Sequence, residues 1–135
     1  MAAPLTTATL TWTKDLQFDA HAGRTDLIID SQGVAGPSPI DALAMAVAGC
    51  MAIDVVDIVT KGRHPIKGLT VELKAERASE PPRCFVKVDL HFTVTGEVSH
   101  TAIDRALRLS RDKYCSVWQS MRKDLPLTTT YEVRP

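Results

Sequence analysis

The stretch VAGCMAIDVVDIV, residues 47–59, sets Cys50 in an apolar run and follows it with Asp54 and Asp57 at i+4 and i+7. Sulfur acts as a nucleophile or redox centre through its thiolate, and a free cysteine with a pKa of about 8.5 is mostly protonated at neutral pH. Apolar surroundings raise that value, and a carboxylate on the same helical face raises it again. For Cys50 to react, Asp54 and Asp57 must be paired or turned away. Two further cysteines, Cys84 and Cys115, complete an odd set with no C-x-x-C spacing, which argues against a disulfide framework and against a structural zinc site. Their chemistry should be redox or nucleophilic. Cys115 falls at a predicted helix start, a place that lowers a thiol pKa, with packing beneath YCSVW as the alternative. Cys50 has a buried structural thiol as its own alternative, and Cys84 is placed on the apolar face of a strand, in the core. His21, His64, His91 and His100 show no ligand spacing, so no metal is assigned to them.

The elements that hold these thiols follow from periodicity. Ala8, Leu10 and Trp12 alternate with threonines, and LQFDAHAG and DLIID follow, a pattern of three short antiparallel strands. GVAGPSP is a loop that ends in a helix start: Ser38 caps, Pro39 suits the first helical position, and Asp41 completes an S-x-x-D capping box. The helix runs from about Pro39 to Thr60, and Gly62 marks its end. Next, Leu69, Val71, Leu73 and Ala75 share one face of a strand, and Cys84, Val86, Val88, Leu90, Phe92 and Val94 share one face of another. The pair reads as a hairpin around Pro81-Pro82. VSHTAIDRALRLSRDKY is an amphipathic helix capped by Ser99, with Ile103, Ala106, Leu107 and Ser110 inward and Arg105, Arg108 and Arg111 on a solvated face. A short helix from Cys115 to about Lys123 and a closing strand, LTTTYEV, complete the chain. Tyr114 and Trp118 are candidates to line a pocket.

Ala42 to Ile53 contains no polar side chain, so this part of the first helix has no solvent face and must be surrounded. One subunit of 135 residues has little to wrap around it, which points to a homodimer in which two such helices pack between two sheets. Length suggests a single domain, 1–135. The 16 basic and 16 acidic side chains balance without a long run of either sign, so neither nucleic acid nor a membrane surface is expected as a partner. A small molecule is. The N-terminus lacks a basic segment followed by an apolar one, and Ala42–Ile53 is too short to span a bilayer, which favours a cytoplasmic protein.

The run GPSPIDALAMAVAGCMAIDVVDIVTKGR, followed by SRDKYCSVWQSM with its cysteine 65 residues beyond Cys50, resembles the OsmC/Ohr superfamily in element order over nearly the whole chain. The resemblance implies an α+β fold: an intertwined homodimer, antiparallel sheets wrapped around central helices, in the order β-β-β-α-β-β-α-α-β. It implies a thiol-dependent peroxidase that reduces organic hydroperoxides, with Cys50 attacking and Cys115 resolving, an external thiol reductant, and no cofactor. In the peroxidase members an arginine from the N-terminal sheet, held by a glutamate near the start of the central helix, activates the attacking thiol. Arg24, in HAGRTD, matches that arginine. The glutamate position is Ile40 here, and Asp41, one residue on, is the substitute acid, or else only the capping-box member. The alternative function is an OsmC-like protein with little peroxidase activity that binds a small apolar ligand or reports oxidation.

Overall fold

The computed structural model describes residues 3–135, which gather into two compact units, the first ending at Leu43 and the second spanning Ala44–Pro135. The first is a meander, β1 (Ala8–Lys14), β2 (Gln17–Ala22) and β3 (Thr25–Asp30), antiparallel throughout and ordered β1-β2-β3. Its register lines up Leu10, Ala20 and Leu27 in one row and Trp12, Phe18 and Ile29 in another. Alternation therefore gives the sheet one apolar face. On it Leu10, Trp12 and Leu27 are 51%, 65% and 48% exposed. The β2–β3 connection is the two-residue turn Gly23-Arg24, and Gly23 takes the positive φ of 61° that such a turn requires of its first residue.

After β3 the chain is fastened by Asp30, which is buried and accepts backbone N–H bonds from Gln32, Val34 and Ala35 at 3.0, 3.3 and 3.0 Å. Gly36 lies so close to β3 that a Cβ there would sit 1.9 Å from the Ile28 carbonyl oxygen. This loop delivers Ser38 to its cap, where Oγ accepts the Asp41 N–H at 3.2 Å. The Ala35, Gln32 and Val34 N–H groups, with the charge of Lys14 a smaller influence, hold the Asp30 carboxyl below the usual carboxylate range. Because the folded pKa is depressed, its stabilisation is present above the unfolded value of about 3.9 and is lost as pH falls through the folded value. Asp30→Asn is expected to melt below wild type at pH 7, with the gap narrowing as the pH of the melt is taken down below the ordinary carboxylate range. A gap that persists in acid would remove the charge from this account.

Helix α1 (Pro39–Lys61) matches the expected limits to one residue. Within one chain only a single stripe, Val47, Met51, Val55 and Val59, is buried, while Met45 and Ile53 are 62% and 70% exposed. By length and composition α1 as a whole passes for a bilayer crossing, a test that the core helix of a soluble protein passes too, while its uninterrupted apolar run, Ala42–Ile53, is shorter than a crossing. Asp54, Asp57 and Lys61 punctuate its second half.

The second sheet has β4 (Ile66–Arg77), β5 (Phe85–Gly96) and β6 (Leu127–Arg134) in the order β4-β5-β6. The β4–β5 pair is the expected antiparallel hairpin, but β6 runs parallel to β5, a correction to the antiparallel expectation. Its cause is the long helical crossover between them, which returns the chain to the end of the sheet from which β5 started. Val88, Leu90, Phe92 and Val94 are buried as read from the sequence, each stabilising the fold by about 1.5–3 kcal/mol relative to exposure. Cys84 and Val86 are not. Pairing skips from Glu76–Lys87 to Arg77–Phe85, so Val86 is a bulge that reverses the alternation, turning Phe85 inward and leaving Cys84 exposed ahead of the strand. The Arg122 guanidinium lies 3.8 Å from the Cys84 sulfur.

Candidate active site

Cys50 and Asp54 are one turn apart on α1 and therefore share a face. The residues that meet them come from the crossover. Helix α2 (His100–Leu109) is capped by Ser99, whose Oγ accepts the Ala102 N–H at 3.1 Å, and it buries Ile103, Ala106 and Leu107. It does not continue regularly to Tyr114 as its periodicity suggests. Residues Ser110–Tyr114 form a π-helical turn closed by the Cys115 N–H on the Ser110 carbonyl at 2.8 Å. Cys115 then leaves the helical region, with φ −74° and ψ 96°, and becomes the cap of α3 (Ser116–Gln119), much shorter than the helix expected to reach Lys123.

The π turn presents two side chains to α1. Ser110, fully buried, donates its hydroxyl to Asp54 Oδ2 at 2.8 Å, and Cys115, also fully buried, lies beside Cys50. One ligand-type atom from each of Cys50, Asp54 and Cys115 falls within 4.8 Å of the others. The Cys115 sulfur accepts the Trp118 backbone N–H at 3.3 Å. It is thus the Trp118 main chain that serves the site, while Tyr114 lines a neighbouring groove of about 580 Å³ together with Asp54, Ile58, Arg105 and Leu109. Arg105 thereby has a place that its helical spacing with Arg108 and Arg111 did not suggest.

The two acids divide. Asp57 is paired with Lys61 at 2.9 Å on the exposed face, whereas Asp54 turns toward the sulfurs and is held there by Ser110. Burial pushes the Cys115 thiol up to about 11; the Trp118 N–H opposes this, and the neighbouring Cys50 and Asp54 add to it. The lowered value expected from the helix start is therefore reversed, because loss of water outweighs one N–H donor. Cys115 is a neutral S–H group at pH 7. Cys50 is partly exposed, so of the two sulfurs it is the one open to an incoming molecule.

Arg24 occupies the tip of the β2–β3 turn in the first unit, and Asp41 is an exposed first-turn residue whose backbone N–H serves the Ser38 cap. The structure brings together Cys50 and Cys115 in the second unit and adds Asp54 and Ser110. The signal for Asp54 was in the sequence as an acid at i+4 from the thiol. Ser110 was placed inward by its helical spacing, and it is buried, but its pairing with Asp54 carried no signal because it depends on the π turn.

A two-cysteine site on a long helix and a helical crossover, in a chain that also carries a three-stranded meander and a mixed three-stranded sheet, defines a known class of α+β protein. The OsmC-like protein family matches residues 30–130, and protein YhfA of Escherichia coli K12 is 40% identical over 129 residues, covering 93% of this chain and 96% of its own length. The chain belongs to the OsmC family. Its fold is shared by a hypothetical protein of Aquifex aeolicus VF5 at a TM-score of 0.90 and 23% identity, with 98% of each chain covered. It is also shared by an organic hydroperoxide resistance protein OsmC of Legionella pneumophila at a TM-score of 0.71 and 13% identity, covering 98% of this chain and 99% of that one.

Proposed function

We propose that this protein is a thiol-dependent peroxidase for organic hydroperoxides, on the strength of one observation: Cys50 and Cys115, 65 residues apart, have their sulfurs within 4.8 Å. In this reading the Cys50 thiolate attacks the terminal oxygen of the hydroperoxide, the O–O bond breaks, and the alkoxide leaves as the alcohol after taking a proton. Cys50 is left as a sulfenic acid. Cys115 then attacks that sulfur, water departs with the hydroxyl and the thiol proton, and the disulfide is returned to two thiols by an external thiol reductant, which is itself oxidised to a disulfide. Closing the sulfur pair from 4.8 Å to a bond of about 2.05 Å requires a movement of under about 3 Å. The named role of the Legionella relative in organic hydroperoxide resistance supports the same substrate class.

The activating cation in this reading is Arg24, with Asp41 as its acid partner, and the working unit is a homodimer in the cytoplasm. Mass spectrometry of the reduced chain after one equivalent of cumene hydroperoxide is expected to find a Cys50–Cys115 link with Cys84 free. The same assay on Arg24→Met, sampled in time, is expected to form the link more slowly. One observation favours a second reading, a ligand-binding or redox-reporting protein without turnover: the Asp54 carboxylate lies with the two sulfurs and opposes a thiolate. Three free thiols after peroxide treatment would select it.

A further inference from the structure

The three side chains at the thiol pair have a property that neither proposed function uses. Cys50, Cys115 and Asp54 offer two sulfurs and a carboxylate oxygen within 4.8 Å of one another. A tetrahedral Zn²⁺ with bonds of about 2.3 Å to sulfur and about 2.0–2.2 Å to oxygen holds two sulfurs and one oxygen about 3.5–3.8 Å apart. The cluster needs to contract by only about 1 Å to reach that geometry. We infer that Cys50, Cys115 and Asp54 form a three-ligand site for a single thiophilic divalent cation of the Zn²⁺ type, with the fourth position open toward the groove beside Asp54.

Three features beyond proximity support the site. Cys50 and Asp54 are at i and i+4 of one helix, the spacing that aims two ligands at one ion. Asp54 is oriented by the Ser110 hydroxyl on Oδ2, which leaves Oδ1 for the metal, and the Cys115 sulfur is oriented by the Trp118 N–H; metal sites depend on such outer hydrogen bonds to fix their ligands. The ligand set is also chemically selective. Two thiolates and one carboxylate on a partly buried site favour Zn²⁺ or Co²⁺ over Mg²⁺ and Ca²⁺, which take oxygen shells. On binding, both thiols release their protons to solvent, and the two thiolates and the carboxylate leave a net charge of −1 around a dication. No electron is exchanged. Metal and disulfide compete for the same sulfurs, so a bound ion holds the pair reduced.

The inference does not rest on the peroxidase reading, since a chain inert to peroxide would still bind the ion. Titration of the full reduced chain with Co²⁺ under anaerobic conditions tests it. One Co²⁺ per chain is expected, with a thiolate-to-cobalt charge-transfer band that one equivalent of Zn²⁺ abolishes. Cys84→Ser keeps the band, Cys50→Ser and Cys115→Ser lose it, and Asp54→Asn weakens Zn²⁺ binding about tenfold or more. A variant that fails to fold is replaced by a wild-type measurement: one equivalent of Zn²⁺ is expected to shield Cys50 but not Cys84 from alkylation. Absence of the band from folded, reduced wild type, its survival without Cys115, or its loss with Cys84 alone would each overturn the site.

Discussion

Cys50→Ser is expected to abolish consumption of cumene hydroperoxide, whereas Cys115→Ser consumes about one equivalent per chain and then stops. The asymmetry follows from exposure and sequence of steps. Cys50 is the partly exposed sulfur, so it alone meets the peroxide; Cys115 is fully buried and enters only after the first oxidation. Without Cys115 nothing intramolecular attacks the sulfenic acid, which persists or proceeds to the sulfinic form, and intact-mass measurement reads it as one or two added oxygens on Cys50. Cys84→Ser leaves turnover unchanged, because Cys84 stands outside the thiol cluster beside Arg122. Steady turnover by Cys50→Ser would end the peroxidase reading outright.

The second large effect concerns assembly. The chain is expected to sediment as a dimer at micromolar concentration, and Ile53→Glu is expected to convert it to a folded monomer, weakening association by about a hundredfold or more. Ile53 is 70% exposed and Met45 62% exposed on a helix whose neighbouring residues are apolar, while Leu10 and Trp12 open one face of the meander. Exposed apolar area of this kind is what a second copy covers. Since Ile53 is exposed in the single chain, a carboxylate there leaves the subunit core intact, and far-UV circular dichroism should be unchanged. A wild-type chain that sediments as a folded monomer would leave these surfaces to another partner.

Much of the fold was legible because each element carries one period over enough residues. The threonine alternation of β1, the Ser38-Pro39 start of α1 and the Val88–Val94 face of β5 all appear where the pattern puts them. Errors arose where a single residue changes phase. The bulge at Val86 moved Cys84 out of the core, and no local residue announces it, because bulges answer to the partner strand. The direction of β6 was hidden for a similar reason: a strand's own sequence does not say which way its neighbour runs. At the site, Cys50 and Cys115 stood out as residues, but the orientation of Asp54 toward them depended on Ser110, and that on the π turn. The lowered thiol pKa expected of Cys115 failed because a helix start was weighed without knowing how deeply it lay.

The π turn at Ser110–Tyr114 also makes the thiol pair a matter of timing along the chain. An α turn of the same span holds one residue fewer, and each residue rotates a helix by about 100°. Deleting any one residue between Arg111 and Tyr114 would retain both cysteines, Asp54 and Ser110. Closed as an α turn, the shortened segment would also leave the second sulfur facing the first, whereas the full-length segment wound as a regular α-helix would carry that sulfur on by about 100°. Two chains of this family could thus differ by a single gap here and still face their cysteines toward each other, so the length of this segment and its winding have to be read together when such chains are compared.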